Sequence, residues 1–123
     1  RILVMDDDPI VREMATAMLA GLGHRVTSTE DGEQAITRYQ DALQGSDPFD
    51  LVIMDLNVPQ GIGGKEAVQQ LLAIDPAAKA IVSSGYSTDP VMSHYQEYGF
   101  CAALAKPYQM AELAALINKT MEM

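Results

Sequence analysis

Short uninterrupted apolar runs alternate along this chain with longer segments of helical spacing. Ile2-Leu3-Val4-Met5, Leu51-Val52-Ile53-Met54 and Ala80-Ile81-Val82 have strand length and no polar face. Such strands need cover on both sides, which is the setting of a parallel sheet sandwiched between helices. Between them the pattern changes period. Asp8 and Pro9 stand where an N-cap and a first helical residue belong, and Val11, Met14, Ala15, Met18 and Leu22 follow helical spacing until Gly21 and Gly23 end it. Arg25–Thr29 reads as a short, more polar strand. Asp31 can cap a second helix reaching about Gln44, with Ala35, Ile36, Tyr39 and Leu43 on one side. A third helix carries Ala67, Val68, Leu71 and Leu72 and stops near Asp75-Pro76. Strand four is expected over Ala80–Ser83. Asp89-Pro90 repeats the cap-and-proline start, and the fourth helix is expected to run to about Tyr98, before Gly99. Cys101–Ala105 reads as strand five. Met110, Leu113, Ala114, Leu116 and Ile117 mark a fifth helix.

Five such units predict an α/β fold, a doubly wound sandwich with a parallel five-stranded sheet. The polar second strand and the small-residue fifth strand suit the edges, which gives the order 2-1-3-4-5. The 123 residues suffice for one core, so residues 1–123 read as a single domain. Because it opens on a strand at Arg1, the chain reads as a domain cut from a longer protein. A net charge of −9 argues against direct nucleic-acid binding, which needs clustered Lys and Arg. No apolar stretch nears the roughly 20 residues needed to span a bilayer, so no membrane contact is expected of this domain. Cys101 has no internal partner and is expected to be buried. The methionines are expected to fill the core.

The strands end in capable residues. Asp6, Asp7 and Asp8 follow the first, Asp55 the third, Ser83-Ser84-Gly85 the fourth and Lys106 the fifth. In a doubly wound sheet, ligands bind at the carboxyl ends where the strand order reverses, here between strands one and three. Asp6, Asp7 and Asp55 therefore converge. Two carboxylates about 4 Å apart repel by roughly 4 kcal/mol at an effective dielectric of about 20. A hard cation relieves this, and Mg²⁺, which keeps waters and shares a phosphate, fits best, with Mn²⁺ as a substitute. Asp55, alone at the end of a central strand, is the candidate nucleophile towards phosphorus. Ser84 and Lys106 can bind phosphoryl oxygens. Asp8 is read as a helix cap, and Ser83 as facing away from Ser84. Gly61–Gly64 is read as a turn, and His24, His94, Lys65 and Glu66 as surface groups. Tyr86 either borders the site or packs on its loop.

These motifs resemble the receiver domain of two-component response regulators. Asp6-Asp7, Asp55, Ser84-Gly85 and Lys106-Pro107 occur in the family's order, each at a strand end, and the likeness spans the chain. The family is itself a standing example of the 2-1-3-4-5 order, so order and resemblance are one observation rather than two. Asp55-Leu56-Asn57-Val58-Pro59, Gly61, Gly63-Gly64-Lys65-Glu66 and Ser83-Ser84-Gly85-Tyr86-Ser87 look most like receivers attached to hybrid sensor histidine kinases.

The resemblance implies a flavodoxin-like (βα)5 fold. It also implies Mg-dependent transfer of a phosphoryl group from a phosphohistidine to Asp55. Asp7 would ligate Mg²⁺, Asp6 would do so directly or through water, and the Asn57 backbone carbonyl would be a further ligand. Ser84 and Lys106 would bind the phosphoryl group, Lys106 pairing with Asp55 before transfer, and Pro107 would follow the lysine, often through a cis bond. The implied partner is a histidine kinase or histidine phosphotransfer domain, in the cytoplasm or on the cytoplasmic side of a membrane-bound sensor kinase. As an isolated domain the chain would catalyse only its own phosphorylation and dephosphorylation. It departs from the family at Ala103, where many receivers carry an aromatic residue that changes rotamer on activation. That departure favours a phosphoryl carrier in a phosphorelay. A haloacid-dehalogenase-type phosphatase would need an aspartate at Asn57, and a flavin binder would need hydroxyls where Asp6-Asp7-Asp8 stand. The complete acceptor set argues against a degenerate docking module.

Overall fold

The computed structural model describes residues 1–59, 61–86 and 88–123. Five parallel strands, β1 (Ile2–Met5), β2 (Val26–Thr29), β3 (Leu51–Asp55), β4 (Ala80–Ser84) and β5 (Ala102–Ala105), lie in the order β2-β1-β3-β4-β5. Helices α1 (Pro9–Gly21), α2 (Gly32–Gln44), α3 (Gly64–Ile74), α4 (Pro90–Ser93) and α5 (Met110–Met121) connect and cover them. None of these helices is long and apolar enough to cross a membrane.

Side chains alternate along each strand, and two apolar clusters result. Ile2, Val4, Leu51, Ile53, Ile81 and Leu104 meet Ala15 and Leu19 of α1 and Leu113 and Ile117 of α5. Leu3, Met5, Val52, Met54 and Val82 meet Ala35 and Tyr39 of α2 and Ala67, Val68 and Leu71 of α3. β1 and β3 are buried at every residue, as their unbroken apolar runs require. Ser84 extends the expected fourth strand by one residue.

The cap expectations hold for α1, α2 and α4. The Asp8 carboxylate accepts from Ile10 N–H at 2.9 Å, Asp31 from Gln34 N–H at 2.9 Å and Asp89 from Val91 N–H at 3.0 Å. Three expectations need correcting. The fourth helix does not run unbroken to Tyr98: α4 stops after one turn, and Tyr95–Tyr98 form a 3-10 turn before Gly99. Side chains three apart eclipse in such a turn, so Tyr95 and Tyr98 both reach the cluster beneath α3. Cys101 is half-buried rather than buried. Met5, Met54 and Met92 are core, but Met14, Met110, Met121 and Met123 are exposed.

Bare backbone brings the start of α3 against the end of β3. A Cβ on Gly63 would lie 2.5 Å from the Leu56 carbonyl oxygen, and one on Gly64 3.0 Å from that of Asp55. The Gly61–Gly64 turn thus packs under the strand end that carries Asp55. Gln60 and Ser87 lie outside the described residues.

Candidate functional site

β1 and β3 are in register at Met5 and Met54, so the next residues, Asp6 and Asp55, emerge side by side. Strand alternation sends both carboxylates, and Lys106 just beyond β5, to the α1/α5 side of the sheet. Both aspartates are almost wholly buried, Asp6 at 0% and Asp55 at 2% exposure, whereas Asp7 is exposed. Oxygen atoms of Asp6, Asp7 and Asp55 lie within 4.8 Å of one another.

The Lys106 ammonium lies 2.6 Å from Asp6 Oδ2 and 3.0 Å from Asp55 Oδ1. The resemblance implied the second pairing, and the first was not expected. Among the described residues Lys106 is the partner of Asp6 Oδ2, in an ion pair without good hydrogen-bond geometry. Its other oxygen accepts from Asp8 N–H at 2.9 Å. Burial pushes the Asp55 carboxyl up to about 6, and Asp6 adds to that push against the pull of Lys106 and Asn57 N–H. Burial also lowers the Lys106 ammonium, but the two carboxylates outweigh it and hold the lysine above its ordinary range.

Ser84 is fully buried at the end of β4. Its Oγ accepts from Tyr86 N–H at 2.9 Å and lies 3.2 Å from Asn57 Nδ2, which donates to it. Asn57 N–H donates to Asp55 Oδ1 at 3.3 Å. A cleft of about 400 Å³ is lined by Asp6, Asp7, Asp8, Asp55, Asn57, Gly85, Tyr86 and Lys106. Tyr86 therefore borders the site rather than packing on its loop, and it is 69% exposed. Asp8 lines the rim while capping α1. Ser83 points away from Ser84 and accepts from the Tyr108 hydroxyl at 2.9 Å. The Lys106–Pro107 bond is cis. Lys65 is exposed, with its ammonium 5.4 Å from the centre of the Tyr98 ring. His94 is exposed and His24 half-buried, and neither lines the cleft.

Two residues of the site's support were not read from the sequence. Arg12 of α1 donates to the Asp6 carbonyl at 2.7 Å, and Tyr108 holds Ser83. Tyr108 acts through a residue on another strand, and Arg12 reaches back along α1 to a backbone carbonyl, which no residue pattern marks.

The donor set fits a hard divalent cation. It has three carboxylates close together and one ammonium to balance them. This architecture has relatives. Residues 2–118 match the response regulator receiver domain. The chain belongs to that family. This receiver is 32% identical over 120 residues to the response regulator GacA of Pseudomonas viridiflava, covering 96% of this chain and 53% of that one. It is 27% identical over 120 residues to the chemotaxis protein CheY of Thermotoga maritima, covering 97% and 95% of the two chains. It thus spans nearly all of CheY but about half of GacA. The receiver domain of the sensor histidine kinase PA1611 from Pseudomonas aeruginosa PAO1 has the same fold, with a TM-score of 0.85 and 26% identity over 99% of this chain and 97% of that one. Its crystal structure holds a magnesium ion coordinated in the active site cleft. The receiver is thus a phosphoacceptor module of two-component signalling.

Proposed function

We propose that Asp55 takes the phosphoryl group, from a phosphohistidine of a histidine kinase or histidine phosphotransfer domain. The observation that carries this reading is the Asp55 carboxylate, buried at a central strand end and paired at 3.0 Å with Lys106. An Asp55 oxygen forms the new bond to phosphorus as the N–P bond of the donor breaks, and the electron pair leaves with the imidazole. Lys106 then turns its charge to the phosphoryl oxygens. Ser84 Oγ accepts from Asn57 and Tyr86, which leaves its proton free to donate to a phosphoryl oxygen. Asp6, Asp7, Asp55 and the Asn57 carbonyl would hold Mg²⁺, or Mn²⁺ in its place. That cation would offset negative charge building on the phosphoryl group.

A protein donor is supported by Ile10 and Met14 on α1, the helix that starts at the rim, which expose apolar surface at 67% and 47%. The reading places the domain in the cytoplasm, its parent protein being a hybrid histidine kinase and its own catalysis limited to gaining and losing the phosphoryl group. Ala103, small and half-buried on β5, offers no ring to swing on activation, which favours a relay carrier.

Incubation with phosphoramidate and Mg²⁺, followed by intact-mass and peptide analysis, tests the assignment. One phosphoryl group should appear on Asp55 and none on Asp55→Asn. The phosphorylated protein should then pass the group to a histidine phosphotransfer domain. Labelling at another residue of natively folded protein removes Asp55 from the role, and loss of the group to water alone removes the relay.

A further inference from the structure

Tyr108 lies two residues past Lys106 and is 9% exposed. Its hydroxyl donates to Ser83 Oγ at 2.9 Å, and Ser83 is fully buried. Ser83 does not line the cleft, but it sits at a junction of the strand ends that do. Its carbonyl accepts from Leu56 N–H at 2.9 Å, one residue past Asp55, and the Ser84 carbonyl accepts from Lys106 N–H at 3.0 Å. The Tyr108 hydroxyl closes this connection into a ring that runs from Ser83 through Ser84, across to Lys106, on through Pro107 to Tyr108 and back. The Tyr108 ring packs in the apolar cluster on the α1/α5 side of the sheet, but few backbone hydrogen bonds hold the turn after Lys106. Pro107 has no N–H, and among the described residues neither Tyr108 nor Gln109 donates its N–H to another backbone carbonyl. Burial pushes the phenol up to about 12, so it stays an O–H donor at neutral pH.

We propose that Tyr108 is a positioning residue for phosphoryl transfer: its hydrogen bond to Ser83 fixes the turn carrying Lys106 against the strand end carrying Ser84, so that ammonium and hydroxyl meet one phosphoryl group. This rests on the assignment of Asp55 as acceptor. The two phosphoryl-binding groups come from adjacent strands, and each depends on a shared backbone register that the tie secures. Breaking the tie leaves Asp55, Asp6 and Asp7 in place but lets Lys106 and Ser84 drift apart. The consequence therefore falls on the phosphoryl group and not on the cation.

The test is a double-mutant cycle with Tyr108→Phe and Ser83→Ala, which remove the same bond from either end and leave the cleft residues intact. The probe is beryllofluoride with Mg²⁺, a phosphoryl mimic on carboxylates, titrated by calorimetry. Each single variant should weaken beryllofluoride binding about three- to tenfold, the range that the net worth of one hydrogen bond converts to. The double variant should lose little more than either single one. Affinity for Mg²⁺ alone should not fall in any of them, whereas general loosening would lower both. Wild-type beryllofluoride affinity in Tyr108→Phe, multiplicative losses in the double variant, or an equal loss of Mg²⁺ affinity overturns the proposal. A wild-type protein that binds no beryllofluoride, or one that binds it equally as Asp55→Asn, removes the Asp55 assignment itself and this proposal with it.

Discussion

Asp55 carries a conflict that its surroundings only partly resolve. A carboxylate buried beside a second buried carboxylate is costly to ionise, and the single Lys106 ammonium is shared between them. Its proton is therefore held to about pH 6 in the folded chain, against about 3.8 for the free group. Between those values the folded state binds the extra proton and the unfolded state does not. The contribution of Asp55 to stability is thus greatest below about pH 4, falls as the pH rises through 6, and is lowest above it. Asp55→Asn, which never ionises, lacks this slope. In metal-free buffer the variant should melt above wild type at pH 7.5 and converge on it by pH 4, read by thermal denaturation across pH. A wild type whose melting temperature does not drop relative to Asp55→Asn between pH 4 and 7 would mean that Lys106 compensates the burial fully.

At the scale of elements, the two aspartates that end the first strand's polar run have separable tasks. Asp8 satisfies an orphan N–H at the start of α1, while Asp7 presents an exposed carboxylate beside Asp6 and Asp55. Asp8→Ala should cost about 1 kcal/mol of stability, the usual worth of an N-cap, and leave Mg²⁺ affinity close to wild type. Asp7→Ala should do the reverse, keeping or raising metal-free stability and weakening Mg²⁺. Equal loss of metal affinity in both variants contradicts the division. The same scale shows what the sequence could tell. The apolar runs of β1 and β3 and the Asp-Pro helix starts are local signals, and they placed the elements and the acidic rim correctly. The break in α4 was not legible because Val91, Met92, Tyr95 and Tyr98 suit one helix as well as a helical turn followed by a 3-10 turn. Tyr108 was read past because its meaning lies in Ser83, which only strand pairing brings near. The split of burial between Asp6 and Asp7 was likewise invisible: adjacent aspartates look alike until one continues the strand's alternation and the other leaves it.

The whole molecule links the crevice to its own stability through the sheet. The acidic cluster sits where the central strands end, and unfolding separates Asp55 from Asp6 and Asp7. A cation that binds the cluster therefore binds the folded state alone and stabilises it by mass action. The chain's net charge of −9 also attracts cations generally, so nonspecific screening must be separated from site binding. With Mg²⁺ at ten times its Kd the gain is about 1.4 kcal/mol, which for a domain of this size is a rise in Tm of roughly 5 °C. Mn²⁺ should act similarly, and Na⁺ at matched ionic strength should give much less. The rise should shrink as the pH falls below 6, because the proton on Asp55 competes with the cation. It should be small in Asp7→Ala at any pH. Thermal scans of wild type and Asp7→Ala at pH 5 and 7.5, with each salt, measure all of this. Equal rises for Mg²⁺ and for Na⁺ of matched ionic strength would show that the cluster only collects charge and does not form a cation site.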